Sequence, residues 1–447
     1  MDFFILSLLT VLLLPLALWS TRNTPCELSL RTRNYSGSFI FIEIFAFVLP
    51  AVLIVEGVGT HLFSHFKYNT GSNITFASYL TIYSIALFFI TIKFASYFIK
   101  LKVNTSISDS SNHGWVRFVT WSILFSGLAI VYFLQIFFDV QHGFLEVLLG
   151  DADSIKSVRM YTRYSAKVPT VLFSFIKFCY LFSAVLACTK YFDSKITQRI
   201  VVLAGGVYLV TLQGSKGPVV YYFILIFISY ALFHEYRISL KHLLISVFFL
   251  LFSFLTLLFV IAMQFGDLSA PEVLDYLFVR VGVGQMIGTY EQFDIDLYNP
   301  QYILQSLPFS ASFKNWPNYN KDIMLISQNV GDSTYTGVAN SLFIAEAHAI
   351  GGITLVMLSP IIVGFSYLIS LKLFHFVAVK AFLKMSDSVR VCTLVFTSYA
   401  ALTGGFTGWP ALKIAIMLVV FTTIILFSIK IILFIIPKNM LRIPTAC

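Results

Sequence analysis

Apolar runs long enough to cross a bilayer recur from one end of this chain to the other, and that recurrence constrains the fold more than any motif does. A helix needs roughly 20 apolar residues to traverse a hydrocarbon core. Counted that way, spans are expected near 3–19, 38–57, 78–99, 117–138, 168–189, 198–213, 217–233, 240–265, 353–374, 388–406 and 411–436. Charged residues make up 11% of the chain, well below the roughly 25% of a soluble domain. The expected fold is an all-α polytopic integral membrane protein of about eleven transmembrane helices. It divides into an N-terminal bundle over 1–265, a large extracytoplasmic loop with amphipathic helices over 266–352, and C-terminal spans over 353–447.

Orientation follows from Lys and Arg. With an odd number of spans and the C-terminus inside, about 18 bases fall in inside loops and 10 outside, and every inside loop is basic. The bases stand singly at the ends of apolar runs, so the net charge of +9 serves topology and implies no nucleic-acid partner. Phe3 to Leu18 resembles a signal-peptide core, yet no basic region precedes it and no clean cleavage site follows, so it is expected to be a retained first helix. The five cysteines show no CxxC spacing and three lie inside apolar runs, so they read as packing residues.

Ionisable groups inside spans are costly and should face protein. Glu43 and Glu56 fall in the second span, Lys93 in the third and Lys177 in the fifth. Each lysine either pairs structurally, snorkels to an edge or lines a transport path.

The segment 266–352 is net acidic and carries Tyr290, Tyr298, Trp316, Tyr319 and Tyr335, which argues for a packed unit. Pro271 to Gly288 reads as an amphipathic helix with Arg280 near its middle. Asn299 to Asn329, with three prolines and no helical period, reads as a loop able to act as a lid. A helix is expected to restart after Asp332 or Ser333 as N-cap. Gly351 and Gly352 then divide the apolar stretch, setting Glu346 and His348 just ahead of a span that starts near Ile353. A carboxylate and an imidazole at such a boundary suit general-base work, or else simply bond neighbouring helices.

Two basic features accompany them. In KSVRMYTRYSAK, Lys156, Arg159, Arg163 and Lys167 share one helical face without intervening carboxylates. That face suits an external anion, lipid headgroups or the acidic insert. In QGSKGP, Gly214 and Gly217 flank Lys216 at the start of a helix, either a phosphate seat or an ordinary tight turn. His61 and His65 lack a carboxylate partner in their loop, so no metal site is expected. No nucleotide or hydrolase motif occurs in a usable context, and no cofactor is expected.

QGSKGP between two mid-chain spans, the large extracytoplasmic loop, and ANSLFIAEAHAIGGI leading into a late span together resemble the bacterial O-antigen or oligosaccharide repeat-unit polymerases. The likeness covers most of the chain as architecture and rests on motifs at 213–218 and 339–353. A spacing of eleven residues from arginine to glycine, found in some members, is not met: Thr170, Ser174 and Glu291 stand at that distance from Arg159, Arg163 and Arg280.

The resemblance implies a multi-pass protein of the bacterial inner membrane, C-terminus cytoplasmic, similar in fold to the multi-span lipid-dependent glycosyltransferases. It implies a metal-independent polymerase that takes polyprenyl-diphosphate-linked oligosaccharide at the outer face and releases polyprenyl diphosphate. A chain-length regulator is a further partner it admits. Placed in that chemistry, Arg280, Glu346 and His348 are the candidate catalytic residues, with Glu346 the first choice as base. Arg159, Arg163, Lys216, Gly214, Gly217 and Asn340 are the candidate diphosphate and sugar contacts. The rival expectation is a flippase for the same lipid-linked oligosaccharide, which would use the same cations but needs a path open to both leaflets.

Overall fold

The structure, a computed structural model, describes residues 2–29, 37–58, 73–99, 113–138, 142, 170–187, 196–212, 217–233, 283–284, 286–308, 310, 316–328, 340–381, 402, 405–413, 416, 419–420, 423–424 and 431. These residues are mostly helical, with no strand among them. In chain order the helices are α1 (Asp2–Thr21), α2 (Ser38–Ile42), a π-helical segment (Glu43–Val48) running on into α3 (Leu49–Val58), α4 (Ile74–Phe98), α5 (His113–Phe138), α6 (Thr170–Ala187), α7 (Ile196–Thr211) and α8 (Gly217–Phe233). After these come α9 (Ile287–Ile295), a 3-10 helix (Pro300–Ser306), α10 (Tyr319–Gln328), α11 (Phe343–Ala381) and a 3-10 turn (Phe406–Gly408).

Among the described residues, five helical stretches are long and apolar enough to cross a membrane: Asp2–Thr21, Ser38–Gly57, Ile74–Phe98, Thr120–Phe138 and Phe343–Leu373. Shorter apolar stretches occupy Phe175–Val185 and Gln198–Thr211. The spans expected at 240–265 and 388–406 lie almost wholly outside the described residues, as does most of 411–436.

The chain folds into two compact units, each assembled from separated segments. One comprises Met1–Lys102, Arg237–Lys372 and Ala400–Met417; the other comprises Val103–Tyr236, Leu373–Tyr399 and Leu418–Cys447.

In the first unit α4 is the central strut. It turns Phe76, Tyr83, Phe94 and Tyr97 outward and buries Ser78, Thr81, Ser84 and Thr91 among apolar neighbours. Small groups let helices approach closely where lipid supplies no hydrophobic drive. Gly364 of α11 meets Thr91 of α4, so that a Cβ at 364 would stand 2.8 Å from Thr91 Cγ2. Phe88 and Tyr367 seal the contact edge to face, with ring centroids 6.3 Å apart.

Of the ionisable groups expected to face protein, Glu43 and Glu56 bond to neighbouring elements. Glu43 is buried where the π-helical segment begins, and its Oε2 accepts from the Leu402 amide at 2.9 Å. Glu56 Oε2 accepts from Thr75 Oγ1 at 3.2 Å. Lys93 snorkels: its Nζ donates to the Arg22 carbonyl at 3.1 Å and sits 5.6 Å from the Trp19 ring centroid.

In the second unit the glycines Gly205 and Gly206 of α7 leave room for Tyr180 of α6 and Tyr222 of α8. The two hydroxyls donate to the carbonyls of Val201 and Val202, so buried phenols stitch three helices at one level. His142 stacks on Tyr208, with ring centroids 4.7 Å apart.

Candidate functional site

In the first unit, three stretches of sequence interlock around the beginning of α11: residues 286–328, 340–350 and 402–413. Backbone bonds tie them. The Gly288 amide donates to the Asn340 carbonyl at 3.0 Å, and the Asn299 amide donates to the Ala349 carbonyl at 2.8 Å. The Leu342 amide, which an α-helix start leaves without an internal acceptor, donates to Thr289 Oγ1 at 2.9 Å. From the membrane side, Asn73 Nδ2 donates to the Phe293 carbonyl at 2.8 Å, anchoring α9 to the beginning of α4.

One sequence expectation needs correcting here. Asn299 to Asn329 is not a loop without helical period, since it holds the 3-10 helix and α10. Asn299 caps the first of these by accepting from the Gln301 amide at 3.0 Å. In α10, Tyr319, Ile323 and Ser327 are buried at i, i+4 and i+8, a stripe too short and too interrupted by polar residues to stand out in sequence. The N-cap expected at Asp332 or Ser333 lies outside the described residues; α11 begins at Phe343. As expected from the sequence, Gly351 and Gly352 divide this apolar stretch: both have non-helical backbone, and the helix kinks there before running on to Ala381. Gly352 has φ 60° and ψ −159°, a conformation essentially closed to residues with a Cβ.

Glu346 occupies the first turn of α11, where a carboxylate favours the helix dipole. It is buried, and both oxygens are engaged: Oε2 accepts from the Thr407 amide at 2.7 Å and Oε1 from Thr407 Oγ1 at 3.0 Å. Gly405 makes this possible. Its φ is +96°, and a Cβ there would stand 2.6 Å from Glu346 Oε2. Glu346 is thus the clamp of the Phe406–Gly408 turn.

His348, two residues on, faces α9. Its Nδ1 lies 3.1 Å from Gln292 Nε2 and 3.7 Å from Asp296 Oδ1. Gln292 Nε2 also donates to the Leu297 carbonyl at 2.8 Å, so the amide bridges the imidazole and the end of α9. The Phe293 ring packs 4.8 Å from the imidazole centroid. The His348 side chain retains 16% of its surface and the Asp296 side chain 79%, so this pair stands open where Glu346 is closed.

A lysine completes the cluster. Lys413 Nζ donates to the Gln305 carbonyl at 2.7 Å and to Ser310 Oγ at 2.8 Å, within electrostatic reach of Glu346. Tyr302 packs edge to face on Tyr319, centroids 5.7 Å apart, and donates to Asp322 Oδ2 at 3.0 Å. Burial raises the Asp322 carboxyl above the usual range, with the Tyr302 hydroxyl offsetting part of that rise.

Glu291 in α9 stands apart in kind. It is buried, and neither oxygen accepts a hydrogen bond of ordinary geometry among the described residues. Burial pushes its carboxyl up to about 8; the nearby Ser327 hydroxyl offsets part of this and Asp294 adds to it.

Of the sequence-predicted site residues, the structure brings Glu346, His348 and Asn340 into one region. Asn340 is exposed and contributes its carbonyl to α9. Gly217 starts α8, in the second unit. Arg280, Arg159, Arg163, Lys216 and Gly214 lie outside the described residues. Sequence reasoning passed over Thr407, Gly405, Gln292 and Lys413. The available signal was GGFTGWP at 404–410, a turn composition inside an apolar stretch that had been divided between two spans.

No group of three or more His, Cys, Asp or Glu side chains suited to a metal ion occurs among the described residues. Comparison with family models, with curated proteins and with solved structures finds no match.

Proposed function

We propose that this chain polymerises polyprenyl-diphosphate-linked oligosaccharide repeat units at the outer face of a bacterial inner membrane. The observation that carries the proposal is the cluster at the beginning of α11. An accessible imidazole beside a carboxylate, a lysine and buried tyrosines are packed where an apolar helix begins. Sugars need hydrogen-bonding groups and aromatic faces, and a membrane-tethered diphosphate needs cations close to lipid.

In the proposed reaction an acceptor sugar hydroxyl attacks the anomeric carbon of the donor. The new glycosidic C–O bond forms as the C–O bond to diphosphate breaks, and the bonding pair leaves with polyprenyl diphosphate. His348 takes the hydroxyl proton at Nδ1, the nitrogen that otherwise accepts from Gln292 Nε2, and Asp296, 3.7 Å from the same nitrogen, stabilises the imidazolium. This reverses the order of bases expected from sequence, because both Glu346 oxygens are committed to Thr407. Lys413 supplies positive charge for the leaving diphosphate, and Arg280 is the further candidate that the sequence offers. The eleven-span topology with a cytoplasmic C-terminus belongs to the same proposal.

The test is the lipid-linked glycan profile of cells lacking the chain. A single repeat on its final acceptor in place of long polymer supports the polymerase. Repeats stranded on the cytoplasmic face with none outside would make the protein a flippase.

A further inference from the structure

The stretch Leu297 to Phe313 contains no charged residue, although it lies within the otherwise charged segment 266–352. Its 3-10 helix is largely inside out: Tyr302 and Ser306 point inward, the tyrosine bonded to Asp322, while the exposed side carries Ile303, Leu304 and Leu307 beside Gln301. Tyr298 is 63% exposed, Ile303 38%, Leu304 36% and Leu307 45%. A segment bathed in water would place these residues the other way round, since aliphatic side chains left exposed forgo the gain of burial.

The position of this face names what covers it. The Asn299 amide is bonded to the Ala349 carbonyl, four residues before Ile353. From there α11 presents Ile353, Met357, Leu358 and Ile361 outward, the surface it offers to lipid as a membrane-crossing helix. The exposed side chains of 298–307 therefore lie beside the start of a lipid-facing stripe. A tyrosine with aliphatic neighbours and no charge is the composition of the bilayer's interfacial layer. We propose that Tyr298–Leu307 is an interfacial element whose Tyr298, Ile303, Leu304 and Leu307 side chains enter the bilayer at the level where α11 begins. The same element supplies the Gln305 carbonyl to Lys413, so its docking in lipid fixes the height of that cation above the hydrocarbon. This holds whatever reaction the site performs.

Nitroxide labels test it in the full-length protein reconstituted into phosphatidylcholine and phosphatidylglycerol vesicles. Native cysteines are replaced, and labels are placed singly by Leu304→Cys, Leu307→Cys and, as a water reference, Asn318→Cys. Each protein is first checked for unchanged gel-filtration elution. The expected result is collision with dissolved oxygen and little collision with a water-soluble nickel chelate at 304 and 307, with the reverse at 318. Chelate access at 304 and 307 equal to that at 318 would overturn the proposal. So would exclusion of both reagents with an immobilised spectrum, which would mean that protein, such as a second copy of the chain, covers the face.

Discussion

Helices α4 and α9 both bury polar side chains, and they do so in different measure. In α4, Ser78 shares a hydrogen bond with the Tyr290 hydroxyl of α9 at 3.3 Å and Ser84 has no partner among the described residues, whereas Thr81 Oγ1 donates to the Ala77 carbonyl one turn back, at 2.8 Å. Such a group asks nothing of its neighbours, and the helix can slide into lipid or protein alike. In α9 seven consecutive residues from Ile287 to Phe293 are buried, among them Thr289, Glu291 and Gln292. Their polar atoms reach other elements or reach nothing. Gln292 serves His348, Thr289 serves the start of α11, and Glu291 has no hydrogen-bonding partner among the described residues. The contrast separates scaffold from site: a membrane strut minimises its polar obligations, whereas a functional region accepts them and is less stable for it.

The largest effect that would sharpen this contrast is on activity. His348→Ala should lower polymer formation by about 100-fold or more while leaving membrane insertion unchanged, as read by glycan ladder and protein level. An unaltered ladder would return His348 to a packing role.

Next comes the turn held by Glu346. Gly405→Ala places a Cβ in a backbone region reserved for glycine and against Glu346 Oε2, and should cost about 1–3 kcal/mol, seen as a lower melting temperature in detergent. A variant as stable as the parent would show that the turn is not clamped as described.

Glu291 gives a pH signature. Its folded pKa of about 8 lies above the ordinary 4.5, so the folded state holds more protons than the unfolded state between those values. Its contribution is therefore fully present below about pH 4.5 and is lost as pH rises through about 8. Glu291→Gln should flatten the decline in melting temperature over that window and be relatively more stable above it. An identical decline in both proteins would place the titrating group elsewhere.

The smallest effect completes the comparison. Thr81→Val in α4 should change stability by no more than about 0.5 kcal/mol, because the Ala77 carbonyl keeps its helix bond. A cost of several times that would erase the distinction between the two helices.

How far these regions could be read from sequence follows from the same physics. The struts were legible because a bilayer imposes one length and one composition, so α1, α4 and α5 fall within a few residues of the runs that announce them. Glu346 and His348 were legible as ionisable groups at the edge of an apolar run. Their roles were not, because the choice between them depends on Thr407, which is 61 residues away in sequence. The 3-10 helix and α10 escaped because three prolines broke up the pattern and because short helices held by tertiary bonds carry weak periodicity. Lys413 looked like a topology marker, and only the fold brings it to Gln305 and Ser310.

The most direct measurement of the central claim uses purified protein in vesicles with a synthetic polyprenyl-diphosphate-linked repeat. The account predicts a ladder of longer glycans, with one polyprenyl diphosphate released for each bond formed and no requirement for nucleotide. Repeats that stay single while crossing from one leaflet to the other would contradict it.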